Sequence, residues 1–169
     1  MAKILLVIAP EKFRDEELFE TRAELVKAGH ETIIASTKIG LCHGSQGGSA
    51  FAELLLSEAQ TIDYAALVFV GGGGSAIYFA DKNAFALIKA FAAAKKIVAA
   101  ICLAPVILAK AGLLQGKKAT VWWEDADEII QQGAVYSPEA VVVDGNIITG
   151  NGPASAQLFG IKICELLKK

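Results

Sequence analysis

The sequence is poor in the residues that mark several large classes of protein. Its 169 residues include only 3 Cys, 4 Pro and 2 His. Three cysteines do not make a disulfide framework, and their odd number leaves at least one thiol unpaired within the chain. Cys42 and His43 supply two adjacent metal ligands, but no second pair follows at the spacing of a zinc site. We therefore expect no bound metal, and a protein of a reducing compartment.

Charge of one sign and long apolar runs are also lacking. Lys and Arg total 16 and Asp and Glu total 18, which gives a formal net charge of -2. This balance does not create the broad positive surface with which proteins attract nucleic acid or anionic membranes. No apolar run reaches the ~18 residues that span a bilayer, and no cleavable signal is visible at the N-terminus. We expect a cytoplasmic protein without a nucleic-acid or membrane partner.

The chain does contain enough apolar surface for a substantial core. Hydrophobic residues make up 54% of it, and 169 residues is a typical length for one domain. No internal repeat, linker or low-complexity tract divides the sequence. We expect a single domain that spans residues 1–169.

Strand-like and helix-like segments alternate along most of the chain. Short, nearly continuous apolar runs predict strands that are buried on both faces, as in a parallel sheet covered by helices. These runs lie at residues 3–9, 31–36, 65–70 and 97–101. Helical patterns are predicted for residues 15–28, 81–94, 103–111, 125–132 and 153–167. Residues 37–49 predict a loop or irregular hairpin, residues 118–122 a strand, and residues 141–149 a hairpin. The alternation predicts an α/β, flavodoxin-like sandwich with a mostly parallel, doubly wound sheet and helices on both faces.

The turn after the strand at 97–101 carries the most specific chemical signal. Cys102 lies between this strand and a helix, with Ala100 two residues before it and Ala104 two residues after it. A nucleophile elbow is so tight that it requires small residues at these two positions. The positive end of a helix dipole stabilises a thiolate, so the pattern predicts a lowered pKa for the Cys102 thiol. The alternative is that Cys102 is a small buried apolar side chain, which is the usual role of cysteine.

A run of four glycines, Gly71 to Gly74, follows the strand at 65–70. Its spacing does not match a dinucleotide-binding fingerprint, and the chain has no phosphate-loop GK[ST], so we expect no nucleotide cofactor. Glycines allow the backbone to approach a second backbone or a ligand closely. The run therefore predicts either a sterically demanded turn or an amide donor to an oxyanion beside Cys102.

The other polar and aromatic candidates have plain structural interpretations. Asp15, Glu16, Glu17 and Glu20 fit a solvated first helical turn, where they complement the helix dipole, and nothing in the pattern distinguishes Glu17 among them. His30 fits a structural place between a helix and a strand, whereas His43 lies in the predicted loop together with Cys42. Trp122 and Trp123 fit a pocket wall, a subunit interface or the core, and Cys164 fits the core of the last helix.

Several segments together resemble the DJ-one/PfpI superfamily, which has the class I glutamine-amidotransferase-like fold. Residues 99–112, AAICLAPVILAKAG, are similar to that family's AAIC-x-x-P-x-x-L-x-x-AG elbow. Residues 13–18, the Gly71-Gly72 pair, and the stretch from Val143 to Pro153 give supporting matches. The resemblance covers essentially the whole chain, and it implies the same fold class as the strand and helix pattern.

The resemblance also implies a set of site residues. Cys102 falls at the nucleophile, and Glu17 falls where the family has a buried, protonated glutamate that hydrogen-bonds the cysteine sulfur. Gly72 and Leu103 fall where backbone N–H groups form the oxyanion site. Gly152 and Pro153 fall where a Gly-Pro pair lines the mouth of the pocket.

Three positions depart from the family pattern. Leu103 follows the nucleophile where peptidase-type members carry His, no histidine occurs within residues 119–124, and Asn151 replaces a common Arg. A local Cys-His-acid triad therefore cannot be assembled. The remaining candidate for a histidine partner is His43, supplied by a neighbouring subunit, with His30 a weaker one.

The resemblance implies a cysteine-dependent enzyme that acts on small reactive carbonyls or glycated proteins, of glyoxalase III or protein deglycase type, in stress protection. One alternative is an intracellular cysteine peptidase of PfpI type. Another is a non-enzymatic redox sensor or chaperone that uses oxidation of Cys102. Members of the superfamily usually pair, so we expect a homo-oligomer, a dimer or higher, with residues 37–52 reaching the neighbour.

Overall fold

The computed structural model describes all residues from Met1 to Lys169. It contains twelve strands and five α-helices. The strands are β1 (Lys3–Val7), β2 (Glu11–Phe13), β3 (Glu31–Ser36), β4 (Gly40–Gly44), β5 (Ser49–Ala52), β6 (Leu54–Leu55), β7 (Ala66–Phe69), β8 (Ile97–Ile101), β9 (Lys118–Ala119), β10 (Val135–Tyr136), β11 (Val141–Asp144) and β12 (Ile147–Gly150). The helices are α1 (Asp15–Lys27), α2 (Lys82–Ala93), α3 (Pro105–Lys110), α4 (Ala126–Gln131) and α5 (Ala156–Leu167).

Seven strands form the central sheet, in the spatial order β11-β12-β8-β7-β1-β3-β6. All neighbours are parallel except β11 and β12, which form an antiparallel hairpin. The four central strands β1, β7, β8 and β12 place their carboxyl ends along one edge, where ligands bind in open α/β sheets. The prediction of a mostly parallel, doubly wound α/β sandwich is confirmed.

Helices cover both faces of the sheet, and side chains alternate between two apolar layers. On β1, Leu5 and Val7 pack into the layer beneath α2, α3 and α4. Ile4 and Leu6 pack into the layer beneath α1 and α5. This alternation is the period-two pattern of a strand that is buried on both faces, and it explains why the sequence of β1 reads as a continuous apolar run. No helix is both long and apolar enough to cross a membrane.

Local signals predicted several boundaries correctly. Asp81 caps α2 as expected, because its side chain accepts a hydrogen bond from the Ala84 N–H at 2.8 Å. The hairpin predicted at residues 141–149 around Asp144-Gly145 is present, and its turn residues are Gly145 and Asn146. Residues 37–49, predicted as a loop or irregular hairpin, contribute to a regular hairpin in which β4 pairs with β5, while β2 pairs with β4.

The structure corrects two predictions near the sheet edge. The predicted strand at residues 118–122 ends at Ala119, because the Thr120 N–H bonds the Thr149 hydroxyl and the Trp122 N–H bonds the Cys102 carbonyl. The predicted helix at 103–111 begins only at Pro105, because Cys102 has a left-handed backbone. In both cases the residues concerned lie at the carboxyl end of β8.

Candidate active site

Cys102 occupies a strained turn between β8 and α3. Its φ of 64° lies in the left-handed region, which is unfavourable for a residue with a side chain. Its N–H donates to the Gly150 carbonyl at 2.9 Å, and its carbonyl accepts from the Trp122 N–H at 2.8 Å. Ala100 and Ala104 are completely buried on either side. The local geometry is that of the predicted elbow, held in place by β12 and by the segment that follows β9.

Glu17 lies in the first turn of α1, and its side chain is completely buried. Its Oε2 accepts a hydrogen bond from the Gly71 N–H at 2.8 Å, whereas its Oε1 is buried and accepts none. Burial raises the pKa of Glu17 to about 8, although hydrogen bonds from Cys102 and Gly71 oppose the shift. The interpretation of residues 15–17 as a solvated turn is therefore wrong for Glu17. It is also wrong for Asp15, which is 8% exposed.

Glu17 and Cys102 are direct neighbours and titrate as a pair. Burial, then the charge and hydrogen bond of Glu17, raise the pKa of the Cys102 thiol. The Leu103 and Gly72 N–H groups lie at the sulfur and lower its pKa, but they do not outweigh burial. The prediction of a lowered pKa, made from the helix dipole, is wrong because the thiol is desolvated beside a carboxyl group. The first proton leaves the pair near pH 8, and the second at higher pH.

The first two glycines of the run allow three segments to meet. A Cβ atom on Gly71 would lie 2.6 Å from Glu17 Oε2 and 2.8 Å from the Cys102 Cβ. Gly72 has φ 92°, and a Cβ there would lie 2.5 Å from the backbone nitrogen of Arg14. The run is therefore a sterically demanded turn, and it also brings the Gly72 amide to the sulfur. The role of that amide as a donor to an oxyanion stays a prediction.

A cavity of about 310 Å³ opens above the thiol. Arg14 and Asp125 are its two charged side chains, and Ser45 adds a hydroxyl group. The remaining walls are Gly72, Gly73, Cys102, Leu103, Trp122 and Pro153. The Arg14 guanidinium pairs with Glu16, with Nε 2.7 Å from Oε2. The sequence pattern did not distinguish Arg14, Ser45 or Asp125, because each is an ordinary polar residue in a turn or at a helix start.

Of the Gly152-Pro153 pair, only Pro153 lines the thiol cavity, which corrects the expectation that both residues do. Pro153 lines it, and it also lines a second cavity of about 440 Å³ on the other side of Trp122. Gly152 lines only the second cavity, where the Trp122 ring packs against it. Of the three roles considered for the tryptophans, Trp122 forms a pocket wall, and Trp123 is 67% exposed.

Neither histidine lines the thiol cavity. His30 Nδ1 accepts a hydrogen bond from the Ala2 N–H at 3.1 Å, beside the N-terminal end of β1. His43 is exposed on β4, opposite Ser49 of β5. Within one chain, therefore, the structure brings no imidazole to Cys102.

The other two cysteines are buried and unpaired. Cys42 lies in β4 with its side chain in the core, which corrects its assignment to a loop. Cys164 packs in α5 as predicted, with its sulfur 3.6 Å from the Glu24 carbonyl. No group of three or more His, Cys, Asp or Glu side chains could hold a metal ion.

Asp15 fixes the wall of the cavity that contains Ser45. Its carboxylate accepts the N–H groups of Gln46 at 2.9 Å and Gly48 at 2.6 Å. The Ser45 N–H donates to the Phe13 carbonyl at 2.8 Å. These bonds tie the turn between β4 and β5 to the start of α1, which also carries Glu17.

The family model of the DJ-1/PfpI family matches residues 2–166. The chain belongs to the DJ-1/PfpI family. An uncharacterized protein of Methanocaldococcus jannaschii is 44% identical over 99% of this chain and 83% of its own length. The deglycase PfpI of Pyrococcus furiosus is 31% identical over 97% of this chain and 99% of its own. A ThiJ/PfpI domain protein of Brachyspira murdochii has a crystal structure that superposes with a TM-score of 0.96, at 37% identity over 98% of this chain and 96% of its own.

Proposed function

We propose that this DJ-1/PfpI family member is a cysteine-dependent enzyme that acts on small reactive carbonyls, of glyoxalase III or protein deglycase type. The observation that carries the proposal is the Cys102 thiol on a strained elbow, which lines an open cavity and is paired with the buried Glu17 carboxyl behind it. A cavity of about 310 Å³ fits a small carbonyl compound or one modified side chain. The name deglycase, carried by the Pyrococcus furiosus relative, agrees with this chemistry.

In the reactive form of the pair, the single remaining proton is on Glu17 and the negative charge is on the Cys102 sulfur. Oε1 accepts no hydrogen bond in the folded protein, so it is the oxygen that is free to carry this proton. The thiolate attacks the aldehyde carbon, a C–S bond forms, and the electron pair of the C=O bond moves to oxygen. The N–H groups of Gly72 and Leu103 stabilise that oxyanion, and Glu17 returns the proton to it. The product is a hemithioacetal.

Lactate formation from methylglyoxal tests the proposal directly. We expect turnover by the wild type and none by Cys102→Ser. Cys164→Ser is the matched control, because Cys164 is buried in α5 away from the cavity and should leave turnover unchanged. A peptide carrying methylglyoxal adducts distinguishes the deglycase from the glyoxalase form of the activity. Wild-type protein without activity on either substrate would contradict the proposal.

Oxidation of Cys102 is the second candidate, since the same geometry suits a redox sensor. A solvent-accessible thiol next to a proton donor and two amide groups can stabilise a sulfinate, which needs a peroxide as oxidant. One relative of known structure is an oxidized DJ-1 of Toxoplasma gondii, 29% identical with a TM-score of 0.89. Mass spectrometry after peroxide treatment tests this role, and Cys102→Ser should remove the mass shift.

Peptidase activity is less well supported. A Bacillus subtilis relative, 30% identical over 99% of this chain, is called a putative cysteine protease. Peptide cleavage requires an acid that protonates a leaving amine, and Leu103 stands where an imidazole would serve. Casein cleavage that depends on Cys102 would restore this alternative.

We also propose a role in stress protection and a homo-oligomeric state. A second Bacillus subtilis relative, 31% identical along its whole length, is called general stress protein 18. Leu41 and Phe51, directly opposite each other in the β4–β5 hairpin, are 50% and 61% exposed. Paired apolar side chains at the surface fit a contact between copies of the chain. Light scattering should show a dimer or larger species, and Leu41→Lys should shift it towards the monomer.

A further inference from the structure

We infer that Asp125 is a second catalytic acid-base residue of the Cys102 site. It moves a proton from one carbon atom of the bound carbonyl substrate to the next. The inference rests on the proposed function and assigns a role that Glu17 cannot fill alone. Asp125 and Arg14 are the two charged side chains that line the thiol cavity. Of the two, only a carboxylate can accept a proton at neutral pH.

Two backbone hydrogen bonds connect Asp125 to the elbow. The Cys102 carbonyl accepts from the Trp122 N–H at 2.8 Å, and the Trp122 carbonyl accepts from the Asp125 N–H, also at 2.8 Å. The three-residue turn from Trp123 to Asp125 therefore has a fixed position above the nucleophile. A side chain on so rigid a turn can be held against a substrate with little loss of conformational freedom.

The Asp125 carboxyl group takes part in no capping hydrogen bond and no ion pair. Asp125 stands at the N-cap of α4, where an aspartate usually accepts a backbone N–H, yet its side chain makes no capping hydrogen bond. Glu128 on the same helix pairs with Lys110 at 3.8 Å, whereas Asp125 has no ion-pair partner. Because Asp125 lines the cavity and its carboxyl group has no structural partner, this group is available to act on a bound ligand.

The electrostatic surroundings suit proton transfer. Partial burial, followed by the negative charges of Glu124 and Glu128, raises the pKa of Asp125 above its ordinary value. A more basic carboxylate removes a proton more readily, and its conjugate acid can still return it. Glu17 already carries the proton that leaves the Cys102 sulfur and passes to the oxygen of the substrate.

The hemithioacetal of a 2-oxoaldehyde requires such a group. Asp125 removes the proton from C1, the electron pair of that C–H bond forms a C1=C2 double bond, and the C2 carbonyl electrons move to oxygen. Asp125 then returns the proton to C2, the proton on the C1 oxygen passes to the C2 oxygen, and a C1=O bond forms. C1 is oxidised and C2 is reduced by the same amount, so no external oxidant takes part. Water hydrolyses the resulting thioester to a 2-hydroxy acid and the free thiol.

Asp125→Asn tests the role, with Asp127→Asn as the matched control. Asp127 is an exposed acid on the same helix and does not line the cavity. We expect kcat for lactate formation from methylglyoxal to fall by about a hundredfold or more in Asp125→Asn and to be unchanged in Asp127→Asn. Alkylation of Cys102 by iodoacetamide should stay within about twofold of wild type in both, and methylglyoxal should still protect the thiol, because hemithioacetal formation does not use Asp125.

The outcomes separate this role from the proposed function. Wild-type turnover with equal kcat in Asp125→Asn would overturn the role of Asp125 and leave the proposed function intact. The same holds if Asp125→Asn loses Cys102 alkylation and activity in parallel, since the residue would then only support the elbow. A wild type without turnover would overturn both.

Discussion

Replacing Glu17 by Gln should stabilise the protein and at the same time make its thiol less reactive. The pKa of Glu17 is about 8 in the folded protein, against an ordinary value of 4.5. The folded state therefore binds the proton more tightly than the unfolded chain. The stability that this proton contributes is fully present below about pH 4.5 and is lost as the pH rises towards 8.

The size of the effect follows from linkage. Each pH unit between the two pKa values removes about 1.4 kcal/mol from the free energy of unfolding. Keeping Glu17 protonated thus costs about 3 kcal/mol at pH 7, and the contribution of Glu17 to the free energy of unfolding should fall by about 3 to 4 kcal/mol between pH 5 and pH 8. Gln has the same shape, can still accept the Gly71 N–H, and carries no titrating group. Its advantage over Glu should be small at pH 5 and largest at pH 8.

Urea unfolding at several pH values between 5 and 8, at one protein concentration and under reducing conditions, measures this difference. Glu20→Gln is the control, because Glu20 is an exposed acid on the same helix. Iodoacetamide alkylation of the same samples should show slower reaction of Cys102 in Glu17→Gln, since Gln cannot hold the thiol proton. If the free energies of unfolding of wild type and Glu17→Gln changed in parallel with pH, Glu17 would be ionised in the folded protein. The assignment of a proton to its carboxyl group would then be wrong.

Three further predictions concern the same site. Iodoacetamide should label Cys102 before the buried Cys42 and Cys164, at a rate that rises with pH because the pKa of the Cys102 thiol is raised. First labelling of either other cysteine in peptide maps would contradict the assignment. Gly71→Ala should slow the labelling of Cys102 by roughly tenfold to a hundredfold, because the new Cβ atom separates Glu17 from Cys102. In Gly73→Ala the new Cβ atom would meet no other atom within 4 Å, so Cys102 should be labelled at the normal rate. His43→Ala and His43→Gln should retain full methylglyoxal turnover, because His43 does not line the cavity; loss comparable to Cys102→Ser, with the oligomer preserved, would establish a histidine supplied by a neighbour.

The sequence determined the parts of the protein that depend on neighbours along the chain. The apolar runs of β1, β7 and β8 predicted buried parallel strands, because a strand that is buried on both faces carries apolar residues without alternating polar ones. The small residues around Cys102 predicted the elbow because the turn itself excludes larger ones. The family resemblance then indicated Glu17, which the local pattern could not distinguish from its acidic neighbours.

Only the tertiary structure decided the electrostatics of the site. The helix dipole predicted an acidic Cys102 thiol, but the loss of hydration and a carboxyl group from α1 raise its pKa instead. Asp125 looks like an ordinary helix cap in the sequence. Its place in the cavity depends on two hydrogen bonds, which the Trp122 N–H donates to the Cys102 carbonyl and the Asp125 N–H donates to the Trp122 carbonyl. Dipoles and caps follow from the local sequence, whereas burial and charge pairing depend on segments distant in the chain, and at this site burial is the larger effect.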